Sequence, residues 1–323
     1  MDEIYMGVPV MGQGHIVVVG SINMDLVGKT ERMPKGGETL MGSDFRMVPG
    51  GKGANQAVAV ARAGGQVKML GRVGADVFGE QLLANFRDNG IDTQLVKSTN
   101  GVPTGVAIIL VDSTGENSIV VVSGANNSVT PEDLIAARDT LETADVIMLQ
   151  LEIPLETVEA AIGMAKGAGV PVILDPGPAR PLKPELLAHV DIITPNEHEA
   201  QVLAGQEMHS MDDAYQIAAK LVGYGIQSVL LKLGGDGVII ATAEGMEHIP
   251  AHKVAVEDTT AAGDSFAGGL AVALAEGYSL RDAVLFANAV GALAVTRLGA
   301  QAAIPTRKEI EAFMKERGVA LAK

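Results

Sequence analysis

The chain is poor in the residues that several common functions need. Its 323 residues include no cysteine and no tryptophan, and aromatic residues make up only 3%. Without cysteine there is no disulfide, thiolate metal site or cysteine nucleophile, and the composition suits a reducing compartment, so we expect a cytoplasmic protein. Few aromatic rings leave few platforms on which the bases of single-stranded nucleic acid could stack.

Positive charge and long hydrophobic runs are also scarce. The 24 Lys and Arg against 39 Asp and Glu give a net charge of −15, so we expect no nucleic-acid partner. Apolar stretches such as residues 266–275 are shorter than the roughly 18 residues that span a bilayer, so we expect no membrane partner. Residues 1–14 carry Asp2 and Glu3 where a secretory signal would be basic. We interpret them as an N-terminal tail to one domain over residues 15–323.

From His15 onward, short β-branched runs alternate with Ala-rich amphipathic stretches, as in HIVVVGSIN, ANQAVAVARAG, VKMLGRVG and FGEQLLANFRDNG. This alternation is typical of βαβ units, and continuous apolar runs such as DVIMLQ are typical of strands covered on both faces. We therefore predict an α/β fold with a doubly wound, mostly parallel central sheet and helices on both faces. The last third is predicted to be helical over residues 265–297 and again over TRKEIEAFMKERG.

Residues 25–49 and 104–123 interrupt this alternation because neither segment has helical periodicity. The second is predicted to form two strands joined by a polar turn at residues 112–117. Strands inserted between βα units do not easily join a parallel sheet. We therefore predict a small β-sheet lid over the carboxyl edge of the central sheet, where open α/β sheets bind ligands. Its free edges and apolar face would favour a homodimer formed through the lid.

The segment DTTAAGDSFAGGLAVALAEG, residues 258–277, places small residues and Gly263 directly before a long helical run. Unpaired backbone N–H groups at such a helix start would face an anion such as phosphate. Asp264 follows at once, and a carboxylate beside an anion hole is well placed to take a proton from an attacking hydroxyl. The alternative is that Asp264 only caps the helix.

A second glycine-rich segment, VPGGKGANQAVAVARAG, has Lys52 and Asn55 just ahead of a helix. Glycine lets the backbone approach a ligand closely, and these two side chains could bind hydroxyls or phosphate. The spacing is not that of a Walker A loop, because Gly53 follows the lysine in place of Ser or Thr. The alternative is a glycine turn with a solvated lysine.

Other polar residues follow predicted strands, where a parallel sheet exposes its ligand edge. Asn23 and Asp25 lie in GSINMD at the end of the first strand, and Glu152 lies in LQLE. Each could equally be a turn or cap residue. Asn196 and Glu199 in TPNEHEA share one face at a helix start, suited to phosphates and hydrated Mg²⁺ or to simple capping. The turn KLGGDG, residues 232–237, could wrap a nucleotide or be only a hairpin.

Two other motifs are excluded. The sequence GDSFA at residues 263–267 is similar to a nucleophile elbow, but an α/β-hydrolase needs a histidine after it, and the last histidine is His252. The Gly12-x-Gly14 pair lacks the third glycine of a dinucleotide-binding fingerprint. None of the six histidines has metal-ligand spacing.

The ordered set GSINMD, GGKGANQA, QLE, TPNEHE, KLGGDG and DTTAAGD resembles the ribokinase-like carbohydrate kinase family over about residues 15–315. GGKGAN and AAGD are closest to its ribose-phosphorylating branch. The resemblance implies the fold predicted above, with a β lid that often dimerises, and transfer of the ATP γ-phosphoryl group to the 5-hydroxyl of D-ribose. The alternatives are a kinase for another pentose, a ketose or a nucleoside, and a non-catalytic sugar- or nucleotide-binding regulator.

The resemblance also implies roles for individual residues. Asp264 would be the catalytic base, and the backbone amides of Ala261, Ala262 and Gly263 would form the anion hole. Sugar contacts would come from Asn23, Met24, Asp25, Gly51, Lys52, Gly53, Ala54, Asn55, Glu152 and Asp264. ATP contacts would come from Asn196, Lys232, Leu233, Gly234, Gly235, Asp236, Gly237, Gly263, Asp264 and Asn288.

Two cations are implied as well. Glu199 would organise the water shell of Mg²⁺. A monovalent cation, K⁺, would be held by Asp258, Thr260, Ala294, Arg297, Gly299 and Ala303. The chain departs from the family at two positions, because Ala303 stands where Ser is common and Lys232 where Thr or Ser is frequent. We expect the first change to weaken K⁺ binding, and the second to put a positive charge near the nucleotide.

Overall fold

The structure is a computed structural model that describes residues 15–322. The strands of this region are β1 (His15–Val19), β2 (Asn23–Lys29), β3 (Asp44–Gly50), β4 (Gln66–Gly74), β5 (Val96–Thr99), β6 (Gly105–Val111), β7 (Asn117–Val122), β8 (Val146–Leu149), β9 (Val172–Leu174), β10 (Ile192–Ile193), β11 (Ser228–Lys232), β12 (Val238–Thr242) and β13 (Met246–Ile249). The predicted tail, residues 1–14, lies outside the described residues.

The helices of the same region are α1 (Lys52–Arg62), α2 (Val77–Asp88), α3 (Pro131–Ala136), α4 (Arg138–Glu142), α5 (Leu155–Ala168), α6 (Pro184–Leu187), α7 (Glu197–Ala204), α8 (Met211–Val222), α9 (Ala262–Ala275), α10 (Leu280–Ala294), α11 (Ala300–Ala303) and α12 (Arg307–Glu316). Short 3₁₀ turns occur at Gly124–Ser128 and Gly234–Asp236. Between residues 15 and 322, no helix combines the length and apolar character needed to cross a bilayer.

The central sheet contains nine strands in the order β13-β12-β11-β10-β9-β8-β1-β4-β5. Every neighbouring pair from β11 to β5 is parallel, whereas β12 and β13 add an antiparallel edge. Helices cover both faces, since the buried side chains form one apolar cluster with α1, α9 and α10 and another with α5 and α8. The predicted fold class is confirmed.

Helix α9 is buried along almost its whole length because it packs between α1 and α10. Two glycines permit this approach, since a Cβ on Gly268 would overlap Ala59, and one on Gly269 would lie 2.7 Å from Val290. The region predicted to be helical over residues 265–297 contains two helices, which the sequence analysis did not separate. Helix α9 ends at Ala275, Gly277 takes a positive φ of 83°, and Ser279 caps the start of α10.

A second sheet of four strands, in the order β3-β2-β6-β7, corresponds to the two segments without helical periodicity. The polar turn predicted in the second segment joins β6 to β7. Only three residues separate the end of β1 from the start of β2, so the small sheet starts at the carboxyl edge of the central sheet. Strand β7 is exposed along its whole length. Closure of this sheet as a lid, and the domain boundaries, stay predictions.

Candidate active site

The start of α9 forms a turn whose free N–H groups can bind an anion. Ala261, the residue before the helix, has a left-handed φ of 58°, a strained conformation for a residue with a Cβ. The turn is closed by a hydrogen bond from the Ala262 N–H to the Thr259 carbonyl at 3.2 Å. The next N–H groups of a first helical turn have no intrahelical acceptor, and the helix dipole favours negative charge there.

Asp264 lies in that first turn and is 6% exposed. Its carboxylate accepts hydrogen bonds from two side chains of α1, Asn55 Nδ2 at 3.0 Å and Gln56 Nε2 at 3.2 Å. Burial raises the pKa of Asp264, and nearby Asp175 adds to this effect against the opposing charge of Lys52. These contacts come from another helix, and α9 has no side-chain cap, so Asp264 does not serve as a helix cap.

Lys52 is the first residue of α1, so the structure places Lys52 and Asn55 inside the first helical turn and not ahead of it as the sequence suggested. Its ammonium lies 3.2 Å from Asp175, 3.9 Å from Asp264 and 4.0 Å from Glu199. Burial alone would lower the pKa of Lys52, but the surrounding carboxylates outweigh it and raise the pKa above its usual range. This lysine stays charged in a cluster of acids, so the alternative of a solvated lysine is wrong.

The glycine before Lys52 is required by space. Gly51 has a φ of 87°, and a Cβ there would lie 2.8 Å from the Asn23 nitrogen. Gly53 packs equally closely, with an added Cβ 2.7 Å from the Ser21 nitrogen. Only glycine lets the start of α1 approach the loop between β1 and β2 this closely. The side chain of Ala54 is buried in the core, so only its backbone can face a ligand.

Two buried residues beside Asp264 were missed by the sequence analysis. Asp175 follows β9, is 1% exposed, and accepts hydrogen bonds from Lys52 and from Gln56 Nε2 at 3.1 Å. Although burial raises the pKa of Asp175, Lys52 and Lys232 outweigh it and lower the pKa. Gln56 thus joins Asp175 to Asp264, and Gln150 Nε2 fixes its amide by donating to Gln56 Oε1 at 2.6 Å. The sequence signal that could have revealed Asp175 is its position directly after a buried strand.

Asn23 and Asp25 open β2 of the small sheet, so their predicted place at the end of the first strand is wrong. Asn23 is 3% exposed and its Oδ1 accepts a 2.7 Å hydrogen bond from Asn126 Nδ2, a positioning residue the sequence did not reveal. Met24, between them, turns its side chain into the core. Glu152 Oε2 accepts hydrogen bonds from the Lys52 N–H at 3.0 Å and from Ser21 Oγ.

The Asp25 carboxylate has no hydrogen-bond donor among residues 15–322. It packs against Gly50, where a Cβ would overlap it. Burial first, and then the charges of Glu152 and Asp264, raise the pKa of Asp25 from 3.8 to about 7. A partly buried carboxylate without donors is an acceptor suited to a ligand rich in hydroxyl groups.

Asp264 also lines a cavity of about 790 Å³. Eight of the ten predicted ATP contacts line it, all except Leu233 and Asp236: Asn196, Lys232, Gly234, Gly235, Gly237, Gly263, Asp264 and Asn288. Lys52, predicted to contact the sugar, and Glu199, predicted to organise Mg²⁺, line it as well. The segment after β13 also lines it, through His252, Lys253, Val254 and Val256, and no sequence motif marked that segment. This volume is in the range of ligand pockets. The turn KLGGDG both forms the β11–β12 hairpin and borders the cavity, so its two interpretations are compatible.

Asn196 and Glu199 form a capping box at the start of α7, with both hydrogen bonds at 2.8 Å. In this box the Asn196 N–H donates to Glu199 Oε2, while Glu199 Oε1 lies 4.0 Å from the Lys52 ammonium. Asn288, on α10, donates to the Pro250 carbonyl at 2.9 Å and so anchors the segment after β13.

The residues predicted to hold a monovalent cation lie on two hydrogen-bonded loops and at the last residues of α10 and α11. Asp258 Oδ1 accepts hydrogen bonds from Thr260, and Oδ2 accepts one from the Gly299 N–H at 2.9 Å. The Arg297 side chain instead pairs with Glu309, so only its backbone carbonyl can face a cation. Ala303 is fully buried and offers no hydroxyl. A carboxylate with backbone carbonyls fits the oxygen ligands that hard cations prefer.

Comparison with known proteins identifies the family. The family model described as "pfkB family carbohydrate kinase" matches residues 13–307 of this chain. The chain is 42% identical over 300 residues to a ribokinase of Bacillus subtilis (strain 168), covering 93% of this chain and 99% of that one. It is also 36% identical to a deoxyribokinase of Salmonella typhi, covering 93% and 98% of the two chains. An Arabidopsis thaliana ribokinase structure complexed with ribose and ATP superposes with a TM-score of 0.88 at 36% identity, covering 94% of this chain and 99% of that one. The chain belongs to the pfkB family of carbohydrate kinases.

Proposed function

We propose that the protein is a ribokinase, which transfers the γ-phosphoryl group of ATP to the 5-hydroxyl of D-ribose. The observation that carries this proposal is the buried Asp264 carboxylate, which lies beside the free N–H groups of α9 and between two ligand surfaces. One surface is the cavity of about 790 Å³. The other contains the hydroxyl-binding side chains of Asn23, Asp25 and Glu152. A base is needed where an acceptor hydroxyl meets a phosphoryl group.

The chemical step needs one proton acceptor and one anion hole. Asp264 takes the proton of the 5-hydroxyl as that oxygen forms its bond to the γ-phosphorus. The bond between this phosphorus and the bridging oxygen breaks, and the oxygen leaves on ADP with the electron pair. The amides of Ala261 to Gly263 stabilise the negative charge on the phosphoryl oxygens during transfer, with the Ala262 N–H shared between the phosphoryl group and the Thr259 carbonyl 3.2 Å away. The raised pKa of Asp264 suits a group that must accept a proton.

Selection of the sugar rests on directional hydrogen bonds. Asp25 and Glu152 are charged acceptors, and a sugar hydroxyl that donates to a carboxylate makes a shorter and stronger bond than one between neutral groups. The Asn126 amide holds the Asn23 side chain in one orientation. A sugar without a matching hydroxyl would leave one of these acceptors desolvated and unpaired, which lowers its rate of phosphorylation.

Cation requirements form part of the proposal. Glu199 Oε1, the oxygen that the capping box leaves free, would organise the water shell of Mg²⁺ at the cavity. When bound, Mg²⁺ neutralises charge on the ATP phosphates. The Asp258 loop with the carbonyls of Thr260, Ala294, Arg297 and Gly299 would hold K⁺, and the missing hydroxyl at Ala303 would weaken its binding.

We also propose that the protein is cytoplasmic and forms a homodimer through the small sheet. Ile119 and Val121 on one face of β7, and Val120 and Val122 on the other, are each about half exposed. An apolar edge strand of this kind is a favourable surface for pairing with a second copy.

The test is release of ADP with Mg-ATP and D-ribose, 2-deoxyribose, fructose or adenosine, with and without K⁺. We expect turnover that is selective for ribose and stimulated by K⁺. Asp264→Asn should lower kcat by about 10²- to 10⁴-fold while ATP binding persists. Asp212→Asn, at an exposed acid in the first turn of α8, is the control and should be unchanged.

2-Deoxyribose is the second candidate acceptor, because the deoxyribokinase of Salmonella typhi is 36% identical to this chain. A higher kcat/KM for 2-deoxyribose than for ribose would replace the proposed acceptor and leave the mechanism unchanged. ATP binding without turnover on any acceptor would instead favour a regulator.

A further inference from the structure

Lys232, the last residue of β11, places a second ammonium beside the anion hole. Its side chain is only 13% exposed. The nearest carboxylate oxygen, Asp175 Oδ2, is 4.0 Å away, which is too far for a hydrogen bond. Among the described residues, no oxygen accepts a hydrogen bond from this ammonium. A nearly buried ammonium therefore keeps its donors available.

Leaving such a group without acceptors is costly, because an ammonium carries three N–H donors and loses its hydration on burial. The position of Lys232 indicates which ligand supplies the missing oxygens. A Cβ built on Gly263 would lie 3.1 Å from Lys232 Nζ. The ammonium thus lies against the backbone of the anion hole at Gly263, the residue before Asp264.

Asp175 holds the Lys232 ammonium in its position beside the anion hole. Its buried carboxylate lies between two lysines, hydrogen-bonded to Lys52 at 3.2 and 3.4 Å and at ion-pair distance from Lys232. Gln56 Nε2 and the Gly177 N–H bind the same carboxylate at 3.1 and 3.0 Å and prevent it from turning away. Lys52 has its acceptors within the protein, whereas Lys232 is attracted by Asp175 but remains free to bind an anion.

We propose that Lys232 is a catalytic residue whose ammonium binds an oxygen of the phosphoryl group during its transfer, and that Asp175 is the residue that positions it. The inference rests on the proposed function and adds a charged side chain to the backbone amides of the anion hole. A mobile cation bound nearby must be recruited from solution, whereas this charge is built into β11.

The test compares the ground state with the transition state. Lys232→Met should lower kcat by about 10²-fold, the usual effect of removing one such donor, with the KM for ribose unchanged within about 2-fold. Affinity for ADP should change by less than about 3-fold. Affinity for Mg-ADP with aluminium fluoride and ribose, which mimics the transferring group, should fall by about 10²-fold.

Two further variants separate catalysis from structure. Lys232→Arg should recover part of the lost rate because it keeps the charge. In an Asp175→Asn background, Lys232→Met should cost much less than in the wild type, because the two residues act as a unit. Lys220→Met is the matched control, since it removes one exposed lysine from α8, which packs against β11, and should leave kcat unchanged. If Lys232→Met fails to fold, Lys232→Gln is measured in its place.

Three results would overturn the proposal: an unchanged kcat, a loss of ADP affinity as large as the loss of kcat/KM, or additive effects of the two substitutions. The wild type is measured first on the sugar panel, so failure of the proposed function is seen separately as no turnover with ribose. The Lys232 variants are then compared on whichever acceptor is used and by the binding of ADP with aluminium fluoride.

Discussion

Asp25 should destabilise the folded protein at neutral pH, and removing its charge should therefore stabilise the fold while impairing catalysis. Its pKa is raised from 3.8 to about 7 by burial and by the charges of Glu152 and Asp264. A raised carboxyl pKa means that the folded state disfavours the ionised form. The cost begins as pH rises above about 4, grows until about pH 7, and stays constant above that. A shift of about 3 units at about 1.4 kcal/mol each corresponds to at most about 4 kcal/mol.

The assay is urea unfolding of the wild type and Asp25→Asn at pH 8 and pH 5, without ligands. At pH 8 the neutral amide should raise the free energy of unfolding by up to about 4 kcal/mol. At pH 5, only about 1.2 units above the unfolded pKa, the gain should fall to about 1.6 kcal/mol. Ribose should stabilise the wild type more than the variant, because its hydroxyls donate to the charged carboxylate. The kcat/KM for ribose should fall by about 10- to 10²-fold in the variant, the loss expected for a hydrogen bond to a charged group.

Asp88→Asn provides the control, because Asp88 is exposed at the end of α2 and its substitution should change stability by less than about 0.5 kcal/mol at either pH. Equal stability of the wild type and Asp25→Asn at pH 8, or a gain independent of pH, would refute the assignment of a buried, ionised Asp25. Glu152→Gln offers a second check. It removes a negative charge that raises the Asp25 pKa, so the acid limb of kcat/KM for ribose should move to lower pH.

Three other predictions test the remaining parts of the site. Gln56→Met removes a hydrogen bond that lowers the Asp264 pKa, so kcat should fall about 10-fold and its acid limb should move to higher pH in a pH–rate profile; an unchanged profile would contradict the positioning role. Asp258→Asn weakens the link to Gly299, so kcat should fall and lose its dependence on the cation when K⁺, Na⁺ and tetramethylammonium buffers are compared; equal wild-type rates in the three buffers would remove the cation site. Ile119→Lys puts a charge on the exposed strand β7 and should convert a dimer to a monomer in sedimentation equilibrium; a wild type that is already monomeric would contradict assembly through the small sheet.

Local sequence patterns were sufficient for much of this fold. Alternating runs such as HIVVVGSIN and ANQAVAVARAG specify βα units because side-chain periodicity acts over a few residues. The lack of helical periodicity over residues 104–123 likewise marked β6 and β7. Prediction failed where helices join, since the break at Gly277 depends on a short turn inside an otherwise apolar stretch. The added antiparallel edge strand β13 was also missed, because its short sequence MEHI has no strong pattern.

The features of the site also separate into those that local sequence determines and those that only the tertiary structure decides. The sequence by itself determined the glycine-rich start of α9, the glycines that bring α1 close to the first loop, and the presence of Asp264 and Lys52, since each lies in a short motif with a local backbone requirement. Only the tertiary structure decided that Gln56 reaches Asp264, 208 residues away, and that Asp175 lies between Lys52 and Lys232. It alone also decided the high pKa of Asp25. The physical reason is that hydrogen bonds, charge and burial depend on which strands lie side by side and which helices cross them, whereas the sequence pattern records only which face each residue takes.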